Sequence, residues 1–326
     1  MADNTAVVVG GGAWGTALAC VAARAGRRAV LLCRDSSVAE ALNTHRRNPR
    51  YLPDITLPDS IKATTDPDVL RSAGIVILAI PAQSLRAALP GLAPQIAPGA
   101  TLINTAKGIE LGTGLALSRV IAEICPDHAQ AVLSGPSFAT DVAQGKPTAV
   151  TLAAADEAVA LELCRALSSD SFRAYASADM TGVETGGALK NVYAIAAGVV
   201  MGLGFGESAK AALITRAFVE LRRLGTAMGG RDETYLGLSG FGDLMLSCSS
   251  PQSRNFGYGM ALGRGEDLAG RPLAEGAATV QIAGRIAEEH GVSAPILQAT
   301  RRLITGEIAP KEAVEALLSR PIKEEF

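Results

Sequence analysis

Charge, aromatic residues and long apolar runs are all scarce in this sequence. Aromatic residues make up 4% of the 326 residues, and 30 Lys and Arg residues against 32 acidic residues leave a net charge of −2. This balance gives no overall attraction to nucleic acid or to an anionic membrane. No apolar run reaches the ~18 residues that a membrane span requires, and the N-terminus lacks the pattern of a signal peptide. We therefore expect neither nucleic acid nor a membrane as a partner.

Cysteine and histidine are also sparse. The five cysteines show neither a CxxC motif nor Cys/His metal spacing, which predicts reduced, packed thiols, a cytoplasmic location and no metal site. The three histidines lie far apart beside polar residues typical of surface turns, which favours solvated side chains over a catalytic role. They are His45, His128 and His290.

The first half of the chain alternates strand-like and helix-like segments. Short, continuous apolar runs separated by helical patterns are typical of a parallel sheet that is covered on both faces. The predicted strands are 5–9, 29–33, 74–80, 100–104, 131–134 and 148–152, and the predicted helices are 16–25, 84–92 and 115–124. Residues 56–67 read as a polar, proline-bearing loop.

After residue 177 the strand signals vanish and long helical patterns follow. These predicted helices are 179–201, 208–225, 280–290, 294–306 and 309–318. A βα-alternating region followed by an all-helical region predicts an α/β fold of two domains. We expect a Rossmann-type doubly wound sheet over 1–188 and a helical substrate and catalytic domain over 189–326.

A glycine-rich turn joins the first strand to the first helix. Gly10, Gly12 and Gly15 form GxGxxG, in which the first glycine makes the tight turn, the second lets the backbone approach a pyrophosphate, and the third allows close helix packing. The diphosphate would meet the unpaired N–H groups of the helix. The alternative is a purely structural turn.

The end of the second strand bears on the choice of cofactor. Arg34 can pair with a 2′-phosphate and so favours NADP, whereas Asp35 beside it keeps NAD open. An exposed arginine that merely ends the strand is the alternative.

Polar residues follow the fourth and fifth predicted strands. Ligands of open α/β sheets bind outside the carboxyl ends of the strands, so Lys107, Gly135 and Ser137 are expected near cofactor and substrate. A solvated surface lysine is the alternative for Lys107.

The helix that opens the second half holds a glycine pair in its interior, where each glycine costs about 1 kcal/mol. Gly186 and Gly187 precede Lys190 on the same helix face and could leave room for a flat ring beside its amine. Burial would lower the pKa of the amine and suit it to proton exchange. A packing glycine pair beside a lysine that reaches solvent is the alternative.

The segment 239–259 is rich in serine and glycine and is predicted as a polar loop. Asp243 could orient Lys190 or a substrate hydroxyl, while Ser253, Arg254 and Asn255 offer donors for a phosphate. An ordinary surface loop is the alternative.

Six motifs, read together, resemble those of NAD(P)-dependent glycerol-3-phosphate dehydrogenases of the bacterial type. They are, in chain order, GGGAWGTALA, TAKGIE, SGPSFA, GGALKN, GFGDL and SRN, and the resemblance runs from Val7 to about Glu275. It implies a Rossmann domain followed by a helical domain in a cytoplasmic homodimer. The implied reaction is the reduction of dihydroxyacetone phosphate to sn-glycerol 3-phosphate by NADPH or NADH, with NADPH favoured, for phospholipid synthesis.

The resemblance also implies individual roles. Lys190 resembles the family's catalytic proton donor and acceptor, and Lys107 resembles the lysine that contacts both substrate and cofactor. The residues expected to bind substrate are Lys107, Gly135, Ser137, Lys190, Asp243, Ser253, Arg254 and Asn255. Those expected to bind the cofactor are Gly10, Gly12, Ala13, Trp14, Gly15, Arg34, Lys107, Ala139, Arg254 and Glu275.

Three positions depart from the family pattern, and two rival functions remain. Met201 stands where aspartate is frequent, Glu207-Ser208 replaces Asp-Asn, and Asp141 replaces glutamate, which bears on substrate geometry and loop ordering. One rival is a β-hydroxyacid dehydrogenase of the same architecture. The other is a non-catalytic NADP sensor, against which the retention of Lys190 and Asp243 argues.

Overall fold

The computed structural model describes residues 4–269, 274–319 and 321. The chain divides into two compact units, Met1–Glu184 and Thr185–Phe326. Within the described ranges, no helix combines the length and the apolar character needed to cross a bilayer. All five cysteines are free and buried, because each occupies an apolar packing position.

The first unit is an eight-stranded sheet with order β3-β2-β1-β4-β5-β6-β7-β8. The strands are β1 (Thr5–Val9), β2 (Arg28–Leu32), β3 (Lys62–Thr64), β4 (Ile75–Leu78), β5 (Thr101–Asn104), β6 (Gln130–Ser134), β7 (Thr148–Ala154) and β8 (Phe172–Ser177). The helices are α1 (Ala13–Arg24), α2 (Ser36–His45), α3 (Leu85–Ala88), α4 (Leu117–Ile124), α5 (Ala139–Gln144) and α6 (Glu157–Leu167). Successive β1 side chains enter two apolar layers, with Ala6 and Val8 on one face and Val7 and Val9 on the other. The predicted Rossmann-type sheet with both faces covered is therefore confirmed.

The sheet is parallel, as predicted, except at one pair, because β6 and β7 are antiparallel. The connection between them carries only the six-residue helix α5, about 9 Å long at 1.5 Å per residue. A five-residue strand spans about 17 Å. This helix is therefore too short to carry the chain back along a whole strand to the end at which a parallel neighbour would begin. β7 and β8 are parallel to each other.

Several short elements escaped the sequence patterns. The predicted loop 56–67 contains β3, which has only three residues and is too short to show a period. The helix predicted over 84–92 is α-helical only at α3 and continues as 3₁₀ turns, because Pro90 lacks a backbone donor. The patterns also missed α2, α5, α6 and β8.

The second unit is helical, and the division between the units falls within α7. Its helices are α7 (Met180–Gly202), α8 (Glu207–Ala227), α9 (Asp232–Leu236), α10 (Asp243–Ser249), α11 (Arg254–Arg264), α12 (Glu275–Glu289), α13 (Pro295–Ile304) and α14 (Pro310–Leu318). No strand follows Ser177 in the part of the chain that the structure describes. The loop predicted over 239–259 is wrong, because most of it forms a π-helical turn, α10 and the first half of α11.

Helices α7 and α11 approach each other at backbone distance. A Cβ on Gly198 would lie 2.1 Å from the Phe256 carbonyl oxygen, and a Cβ on Gly259 would lie 2.0 Å from the Ile195 carbonyl oxygen. Such distances are possible only without a side chain. The contact fixes the start of α11 against the middle of α7, where several candidate site residues lie.

Candidate active site

The glycine-rich turn has the geometry that a dinucleotide requires. Gly10 has φ +122°, and a Cβ on Gly15 would lie 1.9 Å from the Gly10 carbonyl oxygen, so both positions exclude other residues. A Cβ on Gly12, in contrast, would meet nothing within 4 Å. Gly12 is the N-cap of α1 and no side chain caps this end of the helix. The first turn of α1 therefore offers open backbone donors to a diphosphate.

Three more of the predicted cofactor residues begin helices. Ala13 and Trp14 open α1, and Ala139 opens α5, all half-buried and packed against the apolar layer beneath the sheet. The α1 and α5 ends are also joined, since the Arg24 guanidinium donates to the Val142 carbonyl oxygen at 2.7 Å. Arg24 is the last residue of α1 and Val142 lies in the second half of α5, so this contact holds the C-terminal ends of the two helices together.

The rim after β2 carries opposite charges. Arg34 is exposed and forms no ion pair or hydrogen bond with a described residue. Asp35 is the N-cap of α2, and its carboxylate accepts from the Ser37 backbone N–H at 2.9 Å and from the Ser37 hydroxyl at 2.7 Å. These hydrogen bonds lower the pKa of Asp35, with a further contribution from Arg50. The carboxylate is therefore ionised at neutral pH.

Lys107, Gly135 and Ser137 come together beyond the carboxyl ends of β5 and β6. The Lys107 amine donates to the Gly135 carbonyl oxygen at 3.1 Å, and the Ser137 hydroxyl donates to the same oxygen at 3.0 Å. Gly135 has φ +147° and a Cβ there would lie 2.9 Å from Val150 Cα, which explains the glycine. The three residues are therefore joined at the strand ends, and their contact with cofactor and substrate stays a prediction.

A buried carboxylate supports the Lys107 loop. Glu184 accepts from the Ser118 backbone N–H at 2.9 Å, the Ser118 hydroxyl at 2.6 Å and the Asn104 amide at 3.2 Å. Asn104 in turn accepts from the Ala106 N–H at 3.1 Å, which shapes the turn before Lys107. Burial raises the pKa of Glu184 despite these hydrogen bonds. No local pattern in the sequence marks this network.

The Lys190 amine lies in the interior of the second unit. It donates to the Asp243 carboxylate and, at 2.6 Å, to the Ser247 hydroxyl. Lys190 is 6% exposed and Asp243 1% exposed, so this is a buried, hydrogen-bonded ion pair. Burial raises the pKa of the adjacent Cys248 thiol to about 12, although the Lys190 charge opposes the shift. Ser247 was not predicted, but its position four residues after Asp243 places both on one face of α10.

Asn255 joins three helices next to this lysine. Its amide donates to the Asn191 side chain at 2.9 Å and its oxygen accepts from the Gly276 N–H at 2.9 Å. This network holds the residue after Lys190 and the residue after Glu275 in place. The sequence did not single out Asn191, and its position beside Lys190 was the only available signal.

Ser253 and Arg254 form the start of α11. The Ser253 hydroxyl caps the helix by accepting from the Phe256 N–H at 3.4 Å. Arg254 is exposed at the first helical position and forms no ion pair with a described residue. A free guanidinium at the N-terminus of an 11-residue helix is suited to an anion. Glu275 likewise opens α12 and is half-buried.

One glycine of the pair before Lys190 has a packing role. A Cβ on Gly186 would lie 2.9 Å from the Ser239 carbonyl oxygen in the π-helical turn. This favours the packing interpretation over a space reserved for a ring. The close approach also helps to bring α10, with Asp243, against α7.

The departures from the family pattern have ordinary local partners. Asp141 pairs with Lys146 at 2.7 Å across the end of α5, and Glu207 pairs with Lys210 at 2.6 Å in the first turn of α8. Met201 packs against the apolar core of the second unit. None of the three replaces a residue of the polar clusters described above.

Two family models match the chain. The model described as NAD-dependent glycerol-3-phosphate dehydrogenase N-terminus matches residues 5–160, and the corresponding C-terminus model matches residues 179–315. A Brucella canis protein named glycerol-3-phosphate dehydrogenase (NAD(P)+) is 56% identical over 319 residues, covering 98% of each chain. A Mesorhizobium japonicum protein of the same name is 54% identical over 98% of this chain and 93% of its own.

A solved structure supports the same assignment. The crystal structure of glycerol-3-phosphate dehydrogenase from Coxiella burnetii has a TM-score of 0.90 to this chain at 35% identity, over 97% of this chain and 99% of that one. The predicted α/β and helical architecture is therefore found in a solved relative. The chain belongs to the NAD-dependent glycerol-3-phosphate dehydrogenase family.

Proposed function

We propose that this enzyme reduces dihydroxyacetone phosphate to sn-glycerol 3-phosphate with NADPH or NADH, and that Lys190 exchanges the proton. Family membership supports the reaction class. The observation that carries the catalytic assignment is the buried Lys190 amine, which the Asp243 carboxylate and the Ser247 hydroxyl hold. Few lysines are buried without a functional or structural reason, because desolvating an ammonium is costly.

Dinucleotide binding is proposed for the domain over 1–188. The open Gly12 position and the α1 N-terminus would hold the diphosphate, with Ala13, Trp14 and Ala139 alongside. The bound nicotinamide supplies the hydride. Lys107, whose amine is tied to the Gly135 carbonyl oxygen, would contact cofactor and substrate at the strand ends.

Proton transfer is proposed for the helical domain over 189–326. As an ammonium, Lys190 would donate its proton to the substrate oxygen as negative charge develops there, and in the reverse direction the amine would accept it. Asp243 and Ser247 both accept hydrogen bonds from the ammonium, which restricts the orientation of the group. Orientation of this kind reduces the entropy lost on reaching the transition state.

Substrate phosphate binding is proposed for the start of α11. The exposed Arg254 guanidinium offers a planar fork that matches phosphate oxygens. Asn255 and Ser253 already have protein partners, so we propose that they bind substrate through shared hydrogen bonds while they position Arg254. Binding energy from the phosphate would then help to position the carbonyl carbon. Glu275, beside the Asn255 network, is proposed as a cofactor contact.

The biological setting is also a proposal. We expect a cytoplasmic homodimer that supplies phospholipid synthesis, as the sequence resemblance implies. Light scattering of the purified chain tests the dimer, and fractionation of the source cells tests the location.

The reaction is tested by NADPH and NADH oxidation with dihydroxyacetone phosphate in one assay. An acid semialdehyde in place of the phosphorylated ketone tests the rival β-hydroxyacid dehydrogenase. Lys190→Ala should reduce turnover by about 10²–10⁴-fold, the usual contribution of a general acid, while still binding NADPH. Turnover within threefold of wild type would remove Lys190 from the mechanism.

A further inference from the structure

Residues 46–52, here called the 46–52 segment, are anchored directly to the glycine-rich turn. Asn48 is fully buried, and its amide donates to the Gly11 carbonyl oxygen at 3.0 Å and to the Thr16 hydroxyl at 2.8 Å. The Asn48 carbonyl oxygen accepts from the backbone N–H of Leu52 at 2.8 Å, which closes the segment into a compact turn. The positions of residues 50 and 51 are therefore fixed relative to the turn that would hold a diphosphate.

Two of the three arginines of the 46–52 segment, Arg46 and Arg50, have different surroundings. The Arg46 guanidinium is engaged with the Asp59 carboxylate at 3.0 Å and with the Ile61 carbonyl oxygen at 3.0 Å. Arg50 is exposed, and its guanidinium carbon lies 5.3 Å from the centre of the Tyr51 ring. Arg50 forms no ion pair or hydrogen bond with a described residue, so its donors remain available to a ligand.

The 46–52 segment reaches the end of β2 through Gly11, which accepts from Asn48 and on which a Cβ would lie 2.8 Å from the Cys33 sulfur. Arg50 also has an electrostatic effect there. Its charge contributes to the lowered pKa of Asp35, after the larger effect of the Ser37 hydrogen bonds. Asp35 directly follows Arg34, so these two side chains nearly cancel in charge. The positive charge of Arg50 leaves a net positive charge at this point, and a net positive charge favours a dianion over a neutral ribose.

Protein hydrogen bonds already engage part of the Asp35 carboxylate. One of its carboxylate oxygens accepts both Ser37 hydrogen bonds and caps α2. In NAD-specific sites an acidic side chain at this point accepts from the ribose hydroxyls, whereas an arginine accommodates a 2′-phosphate. An Asp35 with one oxygen held in the helix cap, together with the positive charges of Arg34 and Arg50, favours the second case.

We propose that Arg50 is a specificity-determining residue, which joins Arg34 in selecting a dinucleotide that carries a 2′-phosphate. The inference rests on the proposed dinucleotide binding and extends it to a residue outside the family motifs. Arg50 neutralises Asp35 and donates to the phosphate, and Asn48 keeps the 46–52 segment in place. Without Arg50, the like charge of Asp35 opposes the 2′-phosphate.

Binding can be measured without turnover, because Trp14 is the single tryptophan and opens α1 beside the glycine-rich turn. Its fluorescence is titrated with adenosine 2′,5′-bisphosphate and with adenosine 5′-monophosphate. Arg50→Ala should weaken the bisphosphate by about 10- to 100-fold, as expected for lost charge-assisted hydrogen bonds to a dianion. Affinity for the monophosphate should stay within about threefold.

Arg173→Ala is the matched control. Arg173 is also exposed over a tyrosine ring, 5.4 Å from the centre of the Tyr175 ring, but it lies on β8 at the opposite edge of the sheet from β3. This variant loses the same charge and should bind both probes like wild type. Equal weakening of both probes by Arg50→Ala, or no weakening of either, would overturn the proposal.

A second variant tests the charge argument separately. Asp35→Asn keeps a good helix-capping side chain and should tighten the bisphosphate by several-fold while leaving the monophosphate unchanged. Unchanged or weaker bisphosphate binding would contradict the argument. Oxidation of NADPH and NADH by dihydroxyacetone phosphate is measured with wild type. Selective probe binding without oxidation would leave the Arg50 assignment intact and refute the proposed reaction.

Discussion

Removing the charge of Asp243 should damage both the stability and the activity of this enzyme. Asp243→Asn preserves the size of the side chain and leaves the Lys190 ammonium buried without a counter-charge. Because Lys190 is 6% and Asp243 1% exposed, water cannot replace the lost carboxylate. Breaking a buried pair by removal of one partner costs about 3–5 kcal/mol. We expect the free energy of unfolding to fall by about 3 kcal/mol in urea titrations followed by far-UV circular dichroism.

An aspartate-to-asparagine substitution at an exposed ion pair of the second unit provides the control. Asp232 pairs with Arg222, but their side chains are 50% and 35% exposed. Pairs of this kind contribute about 0–1 kcal/mol, so Asp232→Asn should change the free energy of unfolding by at most about 1 kcal/mol. If the two variants lose equal stability, the argument from burial is wrong.

Turnover should follow the loss of orientation at Lys190. We expect Asp243→Asn to lower kcat for dihydroxyacetone phosphate reduction by at least about 100-fold, which corresponds to about 2.7 kcal/mol at about 1.4 kcal/mol per tenfold. Asp232→Asn should keep wild-type kcat. A destabilised Asp243→Asn enzyme with wild-type kcat would show that the carboxylate serves folding alone.

Three further predictions concern single contacts. Ser247→Ala removes the second partner of the Lys190 amine and should lower kcat by about tenfold with little change in KM. Ser247→Thr keeps the hydroxyl and should retain most activity. An active Ser247→Ala enzyme beside an inactive Ser247→Thr enzyme would contradict an orienting role. Because burial raises the pKa of Glu184 above its unfolded value, the stability contributed by this group is fully present below the unfolded pKa and is lost as pH rises through the folded pKa. We therefore expect the free energy of unfolding of Glu184→Gln to rise relative to that of wild type as the pH is raised from 4 to 8. A difference in unfolding free energy that does not change with pH would refute this. Gly12→Ala should weaken NADPH binding yet keep the thermal unfolding midpoint, while Gly15→Ala, whose Cβ would lie 1.9 Å from a carbonyl oxygen, should lower the midpoint by several degrees; equal midpoints would contradict the steric argument.

The strands near the glycine-rich turn were predictable because they are buried on both faces. A strand of this kind is a continuous apolar run, and β1 and β4 are largely such runs. β8 instead alternates buried and exposed positions at a sheet edge, and β3 has three residues. Neither strand contains an apolar run long enough to be distinguished from a loop in the sequence. Burial of both faces, more than strand propensity, made the central sheet visible in the sequence.

Contacts across long sequence separations could not be predicted. Asn48 reaches Thr16 over 32 positions, and Asn255 reaches Asn191 over 64. No local pattern marks an asparagine for such a contact, since the residue type is equally typical of turns. Asp243 and Ser247 are different, because their spacing of four already places them on one helix face. The serine could have been proposed from the sequence once Asp243 was chosen.

The segment that sequence patterns mistook for a loop shows why the candidate site is hard to see. Glycine and serine lower helix propensity, so α10 and α11 lack a local helix signal. The glycines of α11 are nevertheless what lets it approach α7 at backbone distance, with Gly259 against the Ile195 carbonyl oxygen. That approach places Asn255 within 2.9 Å of the Asn191 side chain. The residues that weaken the local signal are therefore the ones that assemble the polar cluster around Lys190, and local prediction fails where tertiary packing serves the site.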